Sequence, residues 1–122
     1  MSNKRKILYI DDEELNIMLF EYNFSRNFDV ISATCPLKGL NILDQSPGIE
    51  VVISDMKMPV MNGLQFIAKA KETYIDKKYF ILTGFDITDE INKALETKLI
   101  HKYFRKPLNI KEIEDSINEL YN

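Results

Sequence analysis

Carboxylates follow two apolar stretches of the sequence. Residues 7–10 lead directly into Asp11 and Asp12, and residues 51–54 lead into Asp55. Short apolar runs bounded by turn-forming residues are typical of strands buried on both faces, and ligands bind beyond the carboxyl ends of parallel strands. We therefore expect the three aspartates to lie together at one end of a sheet, although a single aspartate after a strand often only caps the following turn.

Three neighbouring carboxylates repel one another, and a divalent cation removes that repulsion. Oxygen ligands without histidine or cysteine favour Mg²⁺, with Mn²⁺ and Ca²⁺ as alternatives, over zinc or copper. An aspartate whose charge is neutralised can attack a phosphoryl group and form an acyl phosphate. Asp55 is the candidate nucleophile in this arrangement.

Two further positions could assist a phosphoryl group. Lys106 is the candidate cation at the end of the last predicted strand, and a cis bond to Pro107 is one way to direct its ammonium inward. Thr83, with the Gly84 amide beside it, could donate hydrogen bonds to a phosphoryl oxygen. The alternatives are a solvated surface lysine and a hydroxyl that bonds its own backbone.

Five short strands alternate with five helices in the pattern of the sequence. The strands are predicted at residues 7–10, 28–33, 50–54, 79–82 and 101–104, with the second at an edge because it is only partly apolar. Helical spacing predicts apolar faces formed by Leu15, Met18, Leu19 and Tyr22, by Leu37, Leu40 and Leu43, by Phe66, Ile67, Ala70 and Tyr74, by Ile91, Ala94, Leu95 and Lys98, and by Ile110, Ile113, Ile117 and Leu120.

Caps are predicted for the last two helices. Asp86 or Thr88 can cap the fourth, and Asn109 with Glu112 forms a capping box at the fifth.

The strict alternation predicts an α/β fold, a doubly wound five-stranded parallel sheet with helices on both faces. The flavodoxin-like strand order 2-1-3-4-5 would bring the ends of the first, third and fourth strands together, and with them Asp11, Asp12, Asp55 and Thr83. A chain of 122 residues with 45% hydrophobic residues can bury one full core. We expect a single domain over residues 1–122.

The composition argues against several classes of partner. The 16 basic residues are scattered among 19 acidic ones, for a net charge of −3, so nucleic acid is not expected to bind. Cys35 is the only cysteine and His101 the only histidine, which argues against disulfides and zinc and fits a reducing compartment. The apolar run before Asp11 is too short for a signal peptide or a membrane span. We expect a cytoplasmic protein with no membrane partner.

Over its whole length the chain resembles the receiver domain of bacterial two-component response regulators, of the single-domain chemotaxis type. The resemblance rests on the order and spacing of five features: Asp11-Asp12, Asp55-Met-Lys-Met-Pro59, Gly63, Thr83-Gly84, and Tyr103 three residues before Lys106-Pro107.

The resemblance implies a role for each of these positions. Asp55 would be the phosphoacceptor, Lys106 would bind the phosphoryl group, and Thr83 and Tyr103 would form a switch pair. The implied Mg²⁺ ligands are Asp12, Asp55, the backbone carbonyl of Lys57, and Asp11 mainly through a metal-bound water.

Lys57, Gly84 and Phe85 are expected to modulate the lifetime of the acyl phosphate. Lys57 and Phe85 would flank the path of the attacking water, and the apolar Phe85 would slow hydrolysis. The alternative for Phe85 is a loop aromatic without a kinetic role.

The resemblance also implies partners. The phosphodonor would be a phosphohistidine on a sensor histidine kinase or a histidine phosphotransfer protein, docking near the first helix and the active-site loops. Because the sequence ends at Asn122, output is expected through a partner protein, a homodimer or onward phosphotransfer. The switched surface would comprise the fourth helix, fifth strand and fifth helix.

Two other functions fit the sequence less well. A haloacid-dehalogenase-type phosphohydrolase needs a second aspartate two residues after the nucleophile, where this chain has Lys57. A flavodoxin-like electron carrier needs a first loop that holds phosphate, which the acidic run from Asp11 to Glu14 would repel. An inert receiver-like interaction module and a receiver fragment of a hybrid histidine kinase remain as alternatives.

Overall fold

The computed structural model describes residues 4–84 and 87–121, and within them five parallel strands alternate with five helices. The sheet order β2-β1-β3-β4-β5 confirms the predicted doubly wound α/β fold. The strands are β1 (Arg5–Ile10), β2 (Phe28–Ala33), β3 (Ile49–Asp55), β4 (Lys78–Thr83) and β5 (Lys102–Arg105). The helices are α1 (Glu14–Phe24), α2 (Pro36–Gln45), α3 (Gly63–Thr73), α4 (Asp89–Glu96) and α5 (Ile110–Glu119).

The sheet buries its three central strands on both faces because helices cover both sides. This explains why β1, β3 and β4 read as unbroken apolar runs rather than alternating ones. One core lies under α1 and α5, and the other lies under α2, α3 and α4. As predicted, β2 is an edge strand; β5 is the other edge.

The predicted buried face of α1 is wrong. Leu15 is 64% exposed and Tyr22 is 86% exposed, and Met18 and Leu19 are exposed as well. Ile17, Phe20 and Phe24 face the core instead. Apolar residues occur on all sides of this helix, so spacing alone could not identify the inner face. The aromatic side of α1 is the one that packs on the sheet, where the Phe20 ring stacks on that of Tyr9.

Smaller corrections apply to the other helices. Leu37 lies at the exposed start of α2, and the neighbouring turn buries Gly39 and Leu43. α4 ends at Glu96, so Lys98 lies beyond the helix, with a left-handed backbone at φ 61°. Ile110 is the first residue of α5 and is exposed.

The structure also locates the helix caps. The Thr88 side chain caps α4, whereas Asp86 lies outside the described residues. The Asn109 side chain accepts a hydrogen bond from the Glu112 amide at the start of α5, which is one of the two bonds of the predicted capping box. No helix of the described segments is long and apolar enough to cross a membrane.

Candidate functional site

The three aspartates lie together beyond the carboxyl ends of β1 and β3. These strands are adjacent and pair Ile10 with Ser54, so their ends lie at the same height. Asp11, Asp12 and Asp55 each offer a carboxylate oxygen, and these oxygens lie within 4.8 Å of one another. Asp11 is fully buried, Asp55 is 7% exposed, and Asp12 is open to solvent. Two carboxylates are therefore held away from water beside a third.

Hydrogen bonds fix the buried carboxylate of Asp11. The Tyr9 hydroxyl donates to Oδ2 at 2.8 Å, and the Glu13 amide donates to Oδ1 at 3.0 Å. The second bond closes a turn that follows directly from an aspartate two residues before an amide. The first was not anticipated, because Tyr9 lies within an apolar strand and reads as a core residue.

Lys106 supplies the positive charge of the site. Its Nζ lies 2.9 Å from Asp55 Oδ1, and its side chain is partly shielded from solvent. The lysine follows β5 immediately, and its amide donates to the Thr83 carbonyl at 2.8 Å, which extends the pairing between β4 and β5. The Lys106–Pro107 peptide bond is cis. The tip of β5 thus brings one ammonium against one carboxylate of the cluster.

The charges of the cluster are not balanced. Burial raises the pKa of Asp55, and the neighbouring charges of Asp11 and Asp12 raise it further, while Lys106 opposes this with a hydrogen bond and its charge. Because the net direction is upward, Lys106 does not compensate fully for burial and repulsion. A cation at the cluster would remove this strain on the ionised form.

Of the remaining predicted positions, Lys57 and Gly84 line the cavity at Asp55 and Lys106, whereas Thr83 and Tyr103 do not line it. Thr83 is the buried last residue of β4, and Gly84 lies beside the Lys106 side chain, whose Cδ would be 3.5 Å from an added Cβ. Exposed Lys57 lines the cavity. Tyr103 is half-buried on β5 against the core under α2, α3 and α4. Phe85 lies outside the described residues, so its predicted role is not tested.

Gly63 has a packing role at the site. It begins α3, its amide donates to the Met56 carbonyl at 2.8 Å, and a methyl group on its Cα would collide with the Asp55 carbonyl and Ile81. The preceding Asn62 forms a capping box with Gln65, a pair that was not among the predicted caps. This close approach of α3 to the end of β3 explains why glycine stands at this position.

The site opens into a cavity of about 650 Å³ lined by Asp12, Asp55, Lys57, Gly84 and Lys106, with Glu13 and residues 56, 58 and 59. Carboxylate oxygens are the ligands that Mg²⁺ and Ca²⁺ prefer, and all three members of the cluster are aspartates. The donor set therefore fits a hard divalent cation, and Lys106 supplies a positive group of the protein's own beside Asp55.

Sequence comparison gives relatives along nearly the whole chain. The model of the response regulator receiver domain family matches residues 7–118. Sporulation initiation phosphotransferase F of Bacillus subtilis is 28% identical over 115 residues, which cover 93% of this chain and 91% of that protein. The sensor kinase CckA of Brucella abortus is 23% identical over 98% of this chain, which spans 13% of the kinase.

Comparison with solved structures gives the same family as the sequence comparison. A response regulator receiver domain protein from Clostridium thermocellum superimposes with a TM-score of 0.83 at 28% identity, covering 94% of this chain and 92% of that one. The predicted resemblance and the flavodoxin-like receiver fold are both confirmed.

Proposed function

Because this chain belongs to the response regulator receiver domain family, we propose that it accepts a phosphoryl group on Asp55 and thereby switches a protein-interaction surface. The observation that carries the proposal is the ion pair between Lys106 and Asp55 beside two further aspartates. A buried carboxylate beside both a lysine and a candidate cation site has what phosphoryl transfer requires, because charge neutralisation and positioning dominate that reaction.

The transfer is a displacement at phosphorus. A carboxylate oxygen of Asp55 attacks the phosphoryl group of a phosphohistidine, the N–P bond breaks, and the electron pair returns to the imidazole. Lys106 pairs with the phosphoryl oxygens. Asp12, Asp55, the Lys57 carbonyl and, through water, Asp11 would hold Mg²⁺, which would supply charge neutralisation when bound. Hydrolysis by water returns the free carboxylate, and in this proposal Lys57 and Phe85 set its rate.

The proposed switch lies at the ends of β4 and β5. Thr83 is buried beside the site, and the Thr83 hydroxyl with the Gly84 amide would bond the new phosphoryl oxygens. Movement of Thr83 leaves space for the Tyr103 ring to turn inward, which alters the surface of α4, β5 and α5. Comparing Tyr103 side-chain positions with and without a phosphoryl analogue tests this step, and one unchanged position in both states contradicts it.

The proposed phosphodonor is a sensor histidine kinase or a histidine phosphotransfer protein docked on the exposed apolar residues of α1. These residues, here called the α1 patch, are Leu15, Met18, Leu19 and Tyr22. A cavity of about 350 Å³ is lined by Leu19 of the patch and by Lys106, the ion-pair partner of Asp55, among others. A protein seated there would cover apolar surface and reach Asp55 at once.

The docking surface is tested with two variants that each truncate an exposed leucine to alanine. Leu19→Ala is expected to slow transfer from the phosphorylated donor protein about tenfold, the effect of losing one anchor residue, while labelling by acetyl phosphate is unchanged. Leu37→Ala truncates an exposed leucine of α2, on the other face of the sheet, and serves as the control. Equal transfer rates for the two variants would place the donor elsewhere.

Phosphorylation is tested by mass spectrometry of the intact protein. Wild-type protein incubated with acetyl phosphate and Mg²⁺ is expected to gain one phosphoryl group, Asp55→Asn none, and Asp29→Asn, which changes an exposed aspartate of β2, the full amount. Omitting Mg²⁺ or adding a chelator is expected to abolish the gain. An unlabelled wild type would leave the inert interaction module as the better reading.

We also propose where the domain acts and how it passes on its signal. We place it in the cytoplasm, acting as a regulator that signals through a partner, a homodimer or onward phosphotransfer. The match to a short segment of a sensor kinase keeps open a receiver fragment of a hybrid kinase. Phosphotransfer profiling against the host's histidine kinases distinguishes these possibilities by which donor labels Asp55.

A further inference from the structure

Tyr9 connects the core to the acid cluster. Its ring is buried in β1 and stacks on the ring of Phe20 in α1, with centroids 4.0 Å apart and planes 3° from parallel. Its hydroxyl donates to Asp11 Oδ2 at 2.8 Å. The chemistry proposed above uses Asp11 and does not use Tyr9.

We propose that Tyr9 is a positioning residue that holds the Asp11 carboxylate in the orientation that receives Mg²⁺. The inference rests on the proposed function and adds a supporting residue to its metal site. Partners that hydrogen-bond a metal-ligating side chain orient it, and their loss weakens metal binding about 10- to 100-fold.

The hydrogen bonds of Asp11 support this role. Each of its carboxylate oxygens accepts one bond, from the Tyr9 hydroxyl and from the Glu13 amide. An ionised carboxylate oxygen can accept about two, so each keeps one acceptor site for a cation or a metal-bound water. The two donors fix rotation about the last side-chain bond. Without the hydroxyl, the amide alone would hold a carboxylate that two others repel.

The packing around Tyr9 determines where its hydroxyl lies. The ring is confined between β1 and Phe20, whose ring lies 4.4 Å from that of Phe24 in the next turn of α1. A tyrosine so confined has little rotational freedom left, so its hydroxyl is a fixed donor. The hydrogen bond to Asp11 is thus preorganised by the core and not by the loop that carries the aspartates.

The alternative is a buried tyrosine that merely satisfies its own hydroxyl. Tyr79 provides that case in the same sheet. It is buried in β4, and its hydroxyl donates to the Tyr74 carbonyl at 2.7 Å, at the opposite end of the strand from the cluster. Removing each hydroxyl costs one hydrogen bond, buried at Tyr9 and partly buried at Tyr79, but of the two only Tyr9 bonds a residue of the proposed metal site.

The test measures Mg²⁺ affinity by calorimetry without any phosphodonor, on wild type, Tyr9→Phe and Tyr79→Phe. We expect the dissociation constant to rise about tenfold for Tyr9→Phe and to stay within about twofold for Tyr79→Phe. Both substitutions keep the ring, and circular dichroism checks the fold. The rise in melting temperature on adding Mg²⁺ gives a second measure of affinity that a destabilised variant still reports.

A double-mutant cycle with Asp11→Asn separates positioning from a general loss of structure. In that background the orienting hydrogen bond has lost its carboxylate, so Tyr9→Phe is expected to weaken Mg²⁺ binding no further. An equal weakening in both backgrounds would overturn the inference, as would unchanged affinity for Tyr9→Phe alone. If wild type binds no Mg²⁺, the proposed function fails as well; if it binds and Tyr9→Phe binds equally, only the role of Tyr9 fails.

Discussion

The two ends of the sheet handle charge in opposite ways. At the amino ends of the strands, Arg5 and Glu50 form a partly exposed pair at 2.9 Å, and the guanidinium lies over the Tyr121 ring, 3.7 Å from its centroid. At the carboxyl ends, buried Asp11 and Asp55 lie beside exposed Asp12, and Lys106 forms an ion pair with Asp55. The first end pairs opposite charges, and the second gathers like charges.

The charges at the amino ends stabilise the fold, whereas those at the carboxyl ends serve the proposed function at a cost in stability. An exposed pair of opposite charges helps the fold slightly, whereas buried like charges cost free energy unless a cation joins them. The fold therefore retains at one end an arrangement that raises the pKa of Asp55. Proteins accept such costs where binding or chemistry requires them.

The largest expected effect comes from removing the cation at the carboxyl ends. Lys106→Met should slow phosphorylation by acetyl phosphate about 100-fold, because one preorganised charge at a phosphoryl group contributes that much. Initial rates of phosphorylation are measured by mass spectrometry. The matched control is Lys102→Met at the start of β5, the strand that Lys106 follows; the Lys102 ammonium donates to the Ser116 hydroxyl at 3.0 Å. Similar rates for both variants would show that Lys106 has no special role.

A second contrast compares the loss of stability on replacing one glycine at each end of the sheet by alanine. Gly63→Ala should lower the free energy of unfolding by about 1–3 kcal/mol, because the added methyl collides with the Asp55 carbonyl and Ile81. At Gly48, near the amino ends, an added Cβ would lie 3.6 Å from the Lys6 side chain, an ordinary contact. Urea denaturation should give Gly48→Ala a change of less than about 0.5 kcal/mol. Equal losses would contradict the close packing of α3 on β3.

In the third contrast, Asp55→Asn and Glu50→Gln are expected to change the stability of the fold in opposite directions. Without Mg²⁺, Asp55→Asn should raise the melting temperature by a few degrees, because the upward pKa shift of Asp55 means that its ionised form destabilises the fold. Glu50→Gln, which breaks the pair with Arg5, should cost about 0–1 kcal/mol. Adding Mg²⁺ should stabilise wild type more than Asp55→Asn.

The pH dependence follows from the same shift. A carboxylate whose folded pKa is raised costs stability above that pKa, and the cost is absent below the unfolded value of about 3.9. The advantage of Asp55→Asn over wild type should therefore be largest near pH 7 and shrink as the pH falls towards about 4. A difference that is constant with pH would assign the gain to something other than the charge of Asp55.

The sequence predicted the sheet order and the residues that meet at its carboxyl ends, because parallel strands alternating with helices leave few topologies. It predicted the wrong face of α1. Apolar residues on all sides of that helix gave no preference, and the choice depended on which ones could pack against Tyr9 and β1. The exposed remainder became the α1 patch, the proposed docking surface.

By itself, then, the sequence determined the alternation of elements and the order of acids, hydroxyl and lysine, since these depend on local periodicity and on strand ends. Only the tertiary structure decided that the Tyr9 hydroxyl reaches Asp11, that Gly63 lies against the Asp55 carbonyl, and that α1 turns its aromatic side inward. Each of these is a contact between side chains or backbones whose positions depend on how complete elements pack. Such contacts leave no periodic signal in the chain.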